Sequence, residues 1–341
     1  MALMTDLPDS QADARTHPLK PSSIKLLNWA DYLSADLLKG FEAATGIRVD
    51  ETWVDRNDDF IVRVAAGERY DVIMPTDWAA EALLNAGLLQ PLDLEMLPHW
   101  EQVTQPYFQA PPYDPGVGGR KYTSVCYFGT EGFAVRLDRI AMPRKSWQIL
   151  YDPDFVGQIS MLDGSREVLG PALFLLGADP NTTDAALLDQ AAAMAVAQKP
   201  LVTMYDTKAL ARHILDGIPI VECWDGDVAA AISQGAPGIA YVLPSEGYRV
   251  WADAPCLPAN AYEPAAAHRF LDYLLEPHVA AANADIMGYQ PVVPAADPLV
   301  RSLVQRSMRP TDEQMRGGTF LRDLGESNAV FERSYAKVRS A

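Results

Sequence analysis

Tryptophan and carboxylate side chains recur together where short apolar runs of the chain end. The run 24–28 leads into Asn28-Trp29-Ala30-Asp31-Tyr32, the run 70–74 into Pro75-Thr76-Asp77-Trp78, and the run 159–162 into Asp163-Gly164-Ser165-Arg166-Glu167. A fourth run, closing on Val221-Glu222-Cys223, is followed by Trp224-Asp225-Gly226-Asp227, and Val250 leads into Trp251-Ala252-Asp253. One such Trp alone is readily explained by packing, and one such carboxylate by a helix cap or a solvated loop. Their joint recurrence after five runs points to a shared surface. Aromatic faces attract an ammonium by about 0.5–2 kcal/mol, carboxylates add charge-assisted hydrogen bonds, and methylenes lie on the rings. That surface suits an organic cation with a methylene body. An amino acid would call for an arginine at its carboxylate. Arg166 is the only arginine in these segments, and it is expected on an exposed helix face. Asp77 and Asp163 are expected as caps. The cluster Gly116-Val117-Gly118-Gly119 precedes a strand in a Pro-rich loop, so it is no dinucleotide fingerprint.

The elements that must position these residues follow from hydrophobic periodicity and glycine stops. A strand is expected at 24–28, a helix at 34–45 closed by Gly46, a strand at 48–53, a helix at 58–66, a strand at 70–74 and a helix at 78–86. Strands separated by single helices imply a largely parallel sheet with right-handed crossovers. A long extended segment, 122–135, reads as a strand leaving one lobe for another. Strands at 159–162, 201–204, 218–224 and 239–243, with helices between them, form a second α/β unit. Residues 250–257 are a further extended stretch, and helices follow at 264–275, 277–285 and toward the C-terminus. In open α/β sheets ligands bind at the carboxyl ends of strands, where the tryptophans and carboxylates stand.

The whole composition narrows the partners. In 341 residues, 28 Lys and Arg stand against 45 Asp and Glu, a net charge of −17 with no basic stripe. Nucleic acid and anionic lipid are poor partners for such a field. The length favours two lobes, and the 49% hydrophobic and 21% charged content is that of a well-buried globular fold. Three scattered cysteines are expected as buried free thiols. The five histidines show no zinc spacing, no apolar window is long enough for a membrane span, and no nucleophile elbow occurs. No metal, cofactor or catalytic residue is expected. Residues 1–23 lack a positive region followed by an apolar one, the mark of an intact signal peptide, and are expected as a disordered arm.

Taken together, the runs NWADYL, FEAATGIRV, YDVIMPTDW, GLLQPLD, LDGSREV, LGADPNTTD, ECWDGDVAAA, LPSEGYRVWADAPCLPANA, FLDYLLEPHVA and YAKVRS carry a resemblance. From about residue 24 to its end the chain resembles the bacterial periplasmic polyamine-binding proteins of ABC importers, the PotD/PotF type of extracellular solute-binding protein. The resemblance implies an α/β, two-lobed periplasmic-binding-protein fold, type II-like, with a ligand cleft between lobes joined by crossover strands. The lobes are expected at 24–132 with 252–293, and at 133–251 with 294–341. It further implies hinge closure on an aliphatic polyamine, no catalysis, a membrane permease as partner, a monomer, and a periplasmic location. By position it assigns walls or stacking to Trp29, Trp78, Trp224, Trp251 and Tyr289, with Tyr32 lining the cleft. Asp31, Glu167, Asp227 and Asp253 fall at ammonium-binding carboxylates, and Thr76 at a hydroxyl. The tetrad Trp224-Asp225-Gly226-Asp227 is closer to the putrescine-type pattern than to the spermidine-type one. Departures from the family are Ala30 for a Ser or Thr, Gly164 for a second acid, Glu131 at a usually uncharged hinge position, and Leu321 near a Gln. The other functional class open to such residues is a carbohydrate-active hydrolase with two carboxylates and Trp platforms.

Overall fold

The computed structural model describes residues 23–30, 32–141 and 143–341. Apart from Ser23, the arm expected over 1–23 lies outside the described residues, and Ser23 itself opens the first strand. Among the described residues eleven strands occur: β1 Ser23–Trp29, β2 Arg48–Val54, β3 Val72–Ile73, β4 Tyr127–Arg136, β5 Ile159–Met161, β6 Val202–Tyr205, β7 Ile220–Trp224, β8 Ile239–Val242, β9 Arg249–Asp253, β10 Gln290–Pro291 and β11 Thr319–Phe320.

The first sheet has the order β2-β1-β3, all parallel. Its central strand is the apolar run expected from sequence. The helix Ala35–Thr45 that follows is capped by Ser34, whose side chain accepts the Leu37 N–H, and it stops at Gly46 with φ 72°. Phe41 on this helix packs edge-on to Phe270 of the helix Pro264–Leu275, in a cluster with Leu26, Val72 and Leu271.

The second sheet runs β11-β9-β4-β7-β5-β6. It is mixed, whereas the largely parallel sheet expected from the strand-helix alternation over 24–86 is the first sheet. β4 pairs antiparallel with β7, β8, β9 and β10, while β5 is parallel to β6 and β7. The cause is that the strand before β4, β3, belongs to the first sheet, so no crossover helix from a neighbour in its own sheet forces β4 parallel.

The sheets meet where the chain passes between them. Cys256, just beyond β9, bridges both Ile73 and Thr123, and Thr76 bridges Asp253. The extended segment expected at 122–135 is thus a strand over Tyr127–Arg136 whose approach at Thr123 borders the first sheet. Ala296 and Val300 pack into the first-sheet cluster around Phe270, and Phe331 and Tyr335 of the terminal helix pack against Leu169 and Leu188.

Candidate functional site

Strand register assembles one chemically unusual face. Tyr127, Gly129 and Glu131 of β4 stand opposite Asp253, Trp251 and Arg249 of β9, and Glu131 also stands opposite Trp224 of β7. Side chains alternate between faces along a strand, so all of these share one side of the sheet. The other side takes Phe128, Val250 and Ala252 into an apolar cluster.

Three helices begin at this face. Thr76 precedes the helix Asp77–Asn85, Gly164 the helix Ser165–Leu175, and Trp224 the helix Asp225–Ser233. Asp77, Glu167, Asp225 and Asp227 lie in their first turns, where exposed N–H groups and the helix dipole favour carboxylates. Two close approaches depend on missing side chains. A Cβ on Gly129 would lie 2.4 Å from Asp225 Oδ1 and 2.7 Å from Trp251 Cζ2, and one on Gly226 would meet the Tyr289 ring at 2.4 Å.

Asp253 is buried, and the Tyr32 hydroxyl, from the loop after β1, donates to it. Burial pushes its carboxyl up to about 8, against the Tyr32 hydrogen bond and with the nearby Asp77 charge. Burial likewise pushes Asp227 to about 7, relieved in part by the Trp224 backbone. Asp225 rises by burial to about 8 although the Thr130 N–H donates to it at 3.3 Å. Asp77 rises by burial to about 7, and accepts the Trp78 N–H at 2.7 Å. Asp77 Oδ2, Asp225 Oδ2, Asp227 Oδ2 and Trp251 Nε1 are buried without a hydrogen-bond partner among the described residues. Trp251 and Tyr289 meet edge to face, with ring centroids 4.8 Å apart, and the nearby Asp227 and Asp253 charges add to burial in raising the Tyr289 phenol.

Of the residues expected from sequence, Tyr32, Thr76, Asp227, Trp251, Asp253 and Tyr289 come together here. Trp29 packs edge-on against Phe60 at 5.0 Å, and Trp29, Trp78 and Trp224 are each half-buried. Asp31 lies outside the described residues. Glu167 is engaged within the chain: it accepts from Arg249 Nη1 at 2.9 Å. Burial raises its carboxyl, but the Arg249 guanidinium more than offsets this, leaving it low.

Two expectations fail. Arg166 is buried rather than exposed. It donates to Asn181 Oδ1 at 2.7 Å and to the Pro180 carbonyl, and its guanidinium lies over the Phe331 ring. Its aromatic partner comes from the terminal helix, which no local pattern announces. Asp163 is no cap either, since the Tyr335 hydroxyl donates to it at 2.7 Å. Sequence reasoning also passed over Arg249, although it stands two and four residues before Trp251 and Asp253, the spacing of one strand face. The three cysteines are buried free thiols, as expected. Among the described residues no His, Cys, Asp and Glu group could hold a metal ion, and no helix is long and apolar enough to cross a membrane.

A separate cavity of about 590 Å³ lies between the helices Asp225–Ser233 and Pro277–Met287. Its carboxylate, Asp285, is already taken by the Arg301 side chain and the N–H groups of Arg301 and Ser302.

The profile of the bacterial extracellular solute-binding protein family matches residues 36–306. The chain belongs to this family. It is 27% identical over 338 residues to spermidine/putrescine-binding periplasmic protein 1 of Haemophilus influenzae, covering 97% of this chain and 92% of that one. It is 27% identical over 341 residues to the putrescine-binding periplasmic protein PotF of Escherichia coli, covering 93% and 91%. Among solved structures, a Listeria monocytogenes protein assigned to a spermidine/putrescine ABC transporter superposes with a TM-score of 0.85 at 26% identity, covering 93% of this chain and 99% of the other. The fold is therefore the α/β, two-lobed one of the solute-binding proteins.

Proposed function

We propose that the chain is the periplasmic substrate-binding component of an ABC importer. In this reading it encloses one aliphatic di- or polyamine between its lobes by hinge closure, with a putrescine-like ligand preferred over spermidine, and releases it unchanged to a membrane permease. The observation that carries the proposal is the pair Asp227 and Asp253, carboxyls raised by burial beside the Tyr289 ring, which meets Trp251 edge to face. An ammonium at each would supply the missing counter-charge, and the rings would cover the methylenes between them. Tyr32 would hold Asp253 in place from the first lobe. Thr76 would offer a hydroxyl, and Trp29, Trp78 and Trp224 would wall the cleft. The names of the relatives, spermidine/putrescine-binding and putrescine-binding periplasmic proteins, support the same ligand class.

The test is mass spectrometry of small molecules released from the purified protein, followed by calorimetry with an amine panel and with glutamate and glucose. One amine per chain is expected to bind, to be recovered unchanged, and to raise Tm by mass action. A melt shifted by glucose and by no amine would overturn the proposal.

A further inference from the structure

Arg249 stands on the acidic-aromatic face described above, and it is buried. Its Nη1 lies 2.9 Å from Glu131 Oε2, an ion pair, and donates to Glu167 Oε1 at 2.9 Å. Asp77 and Glu222 face it from the first-lobe helix and from β7, and Arg166 adds a like charge. The two carboxylates that hold it come from β4 and from the helix Ser165–Leu175. Arg249 therefore neutralises the acidic group at one end of the face, while Asp227 and Asp253 have no side-chain cation beside them among the described residues.

Resting on the proposed amine cleft, we infer that Arg249 is a built-in cation that fixes ligand length: it fills the corner at Glu167 that a third ammonium would otherwise take. Arg249 and Asp253 are four residues apart on β9, about 13 Å along a strand. The nitrogens of a four-carbon diamine stand about 6 Å apart by bond lengths, so a diamine at Asp227 and Asp253 leaves Arg249 undisturbed. An extended triamine brings a further positive charge toward the guanidinium, in a dry site where like charges repel strongly. The guanidinium thus closes the face at Glu167, and the ligand selected is one whose ammonium groups end short of it.

The experiment is calorimetry with putrescine, spermidine and a spermidine acetylated on one terminal amine. The proteins are the wild type and a variant carrying both Arg249→Met and Glu131→Gln. The double change removes the Arg249–Glu131 pair together and leaves the Glu167 carboxylate without its cation, a loss that destabilises the ligand-free variant and that a third ammonium would make good. In the wild type the acetylated triamine is expected to bind about tenfold more tightly than spermidine, because acetylation removes the charge that meets Arg249. In the double variant that order reverses, and the ratio of spermidine to putrescine affinity rises by about tenfold or more. A loss of affinity for both amines in equal proportion would mark Arg249 as merely structural and overturn the inference. So would weaker binding of the acetylated triamine by the wild type, a result that needs no variant to fold. Amine binding with an unmoved ratio removes this inference alone, whereas a wild type that binds no amine removes the proposed function and this inference with it.

Discussion

At the scale of single residues the proposed amine site turns on Asp253 and Asp227, because each is a carboxyl raised by burial without a cationic partner among the described residues. Removing one member of a buried charge pair costs about 3–5 kcal/mol, or about two to three and a half powers of ten in affinity. Asp253→Asn and Asp227→Asn are each expected to weaken amine binding by that order in calorimetry, with the far-UV spectrum unchanged. Glu313→Gln, on an exposed carboxylate, is the control and is expected to change it by less than about threefold. Asp184 is a worse control, for its side chain caps the helix Ala185–Gln198. Variants at Asp253 and Asp227 that bind like the wild type would reduce both groups to caps. Trp251→Ala separates a ligand wall from a packing residue. It is expected to abolish measurable binding while lowering stability by less than the ~3–5 kcal/mol typical of a core Trp truncation. Equal losses would favour packing. These residues were legible in the sequence because Trp and Asp recur where apolar runs end. Arg249 was not, since its meaning lies in Glu131 across the sheet and Glu167 on a distant helix.

At the scale of elements, the site depends on how tightly β4, β7 and β9 approach one another. Gly129 shows the constraint: on β4, opposite Trp251, it leaves room for the indole and for Asp225. Gly129→Ala places a methyl within 2.7 Å of Trp251 Cζ2 and nearer still to Asp225. Overpacking of this kind costs about 1–3 kcal/mol. The variant is expected to melt below the wild type by that amount and to lose amine affinity as the indole is displaced. A Gly170→Ala control sits where a Cβ meets nothing within 4 Å, so it should do neither. An unchanged melt and affinity for Gly129→Ala would show that the indole and carboxylate move aside without loss. Helix boundaries were legible because they are written locally: Ser34 and Gly46 frame the helix Ala35–Thr45 as expected. Strand direction in the second sheet was not. β4 pairs with strands that come from as far along the chain as Gln290–Pro291, and nothing local encodes that antiparallel register.

Over the whole molecule, the raised carboxyls couple protons to both stability and ligand. In the unfolded chain an Asp titrates near 3.8, whereas burial holds Asp77 and Asp227 at about 7 and Asp225 and Asp253 at about 8. Between those values the folded protein binds more protons than the unfolded one. Stability from these groups is therefore fully present below about pH 4 and is lost as pH rises toward 8. Ligand-free protein is expected to lose Tm from these groups across that window, and Asp253→Asn is expected to flatten the slope. An amine reverses the trend, because an ammonium beside Asp253 or Asp227 favours the ionised carboxylate and drives its proton off. At pH 7 the ligand's own amines stay charged, since an alkyl ammonium titrates near 10.4, so the protons released come from the protein. Calorimetry at pH 7 in buffers of different ionisation enthalpy should thus show net proton release on amine binding, falling toward zero by pH 9, with apparent affinity rising from pH 6 to 8. Binding heats that are independent of the buffer at pH 7 would mean that Asp227 and Asp253 are already ionised without ligand, and that the cleft holds its negative charge by some means other than waiting for a cation.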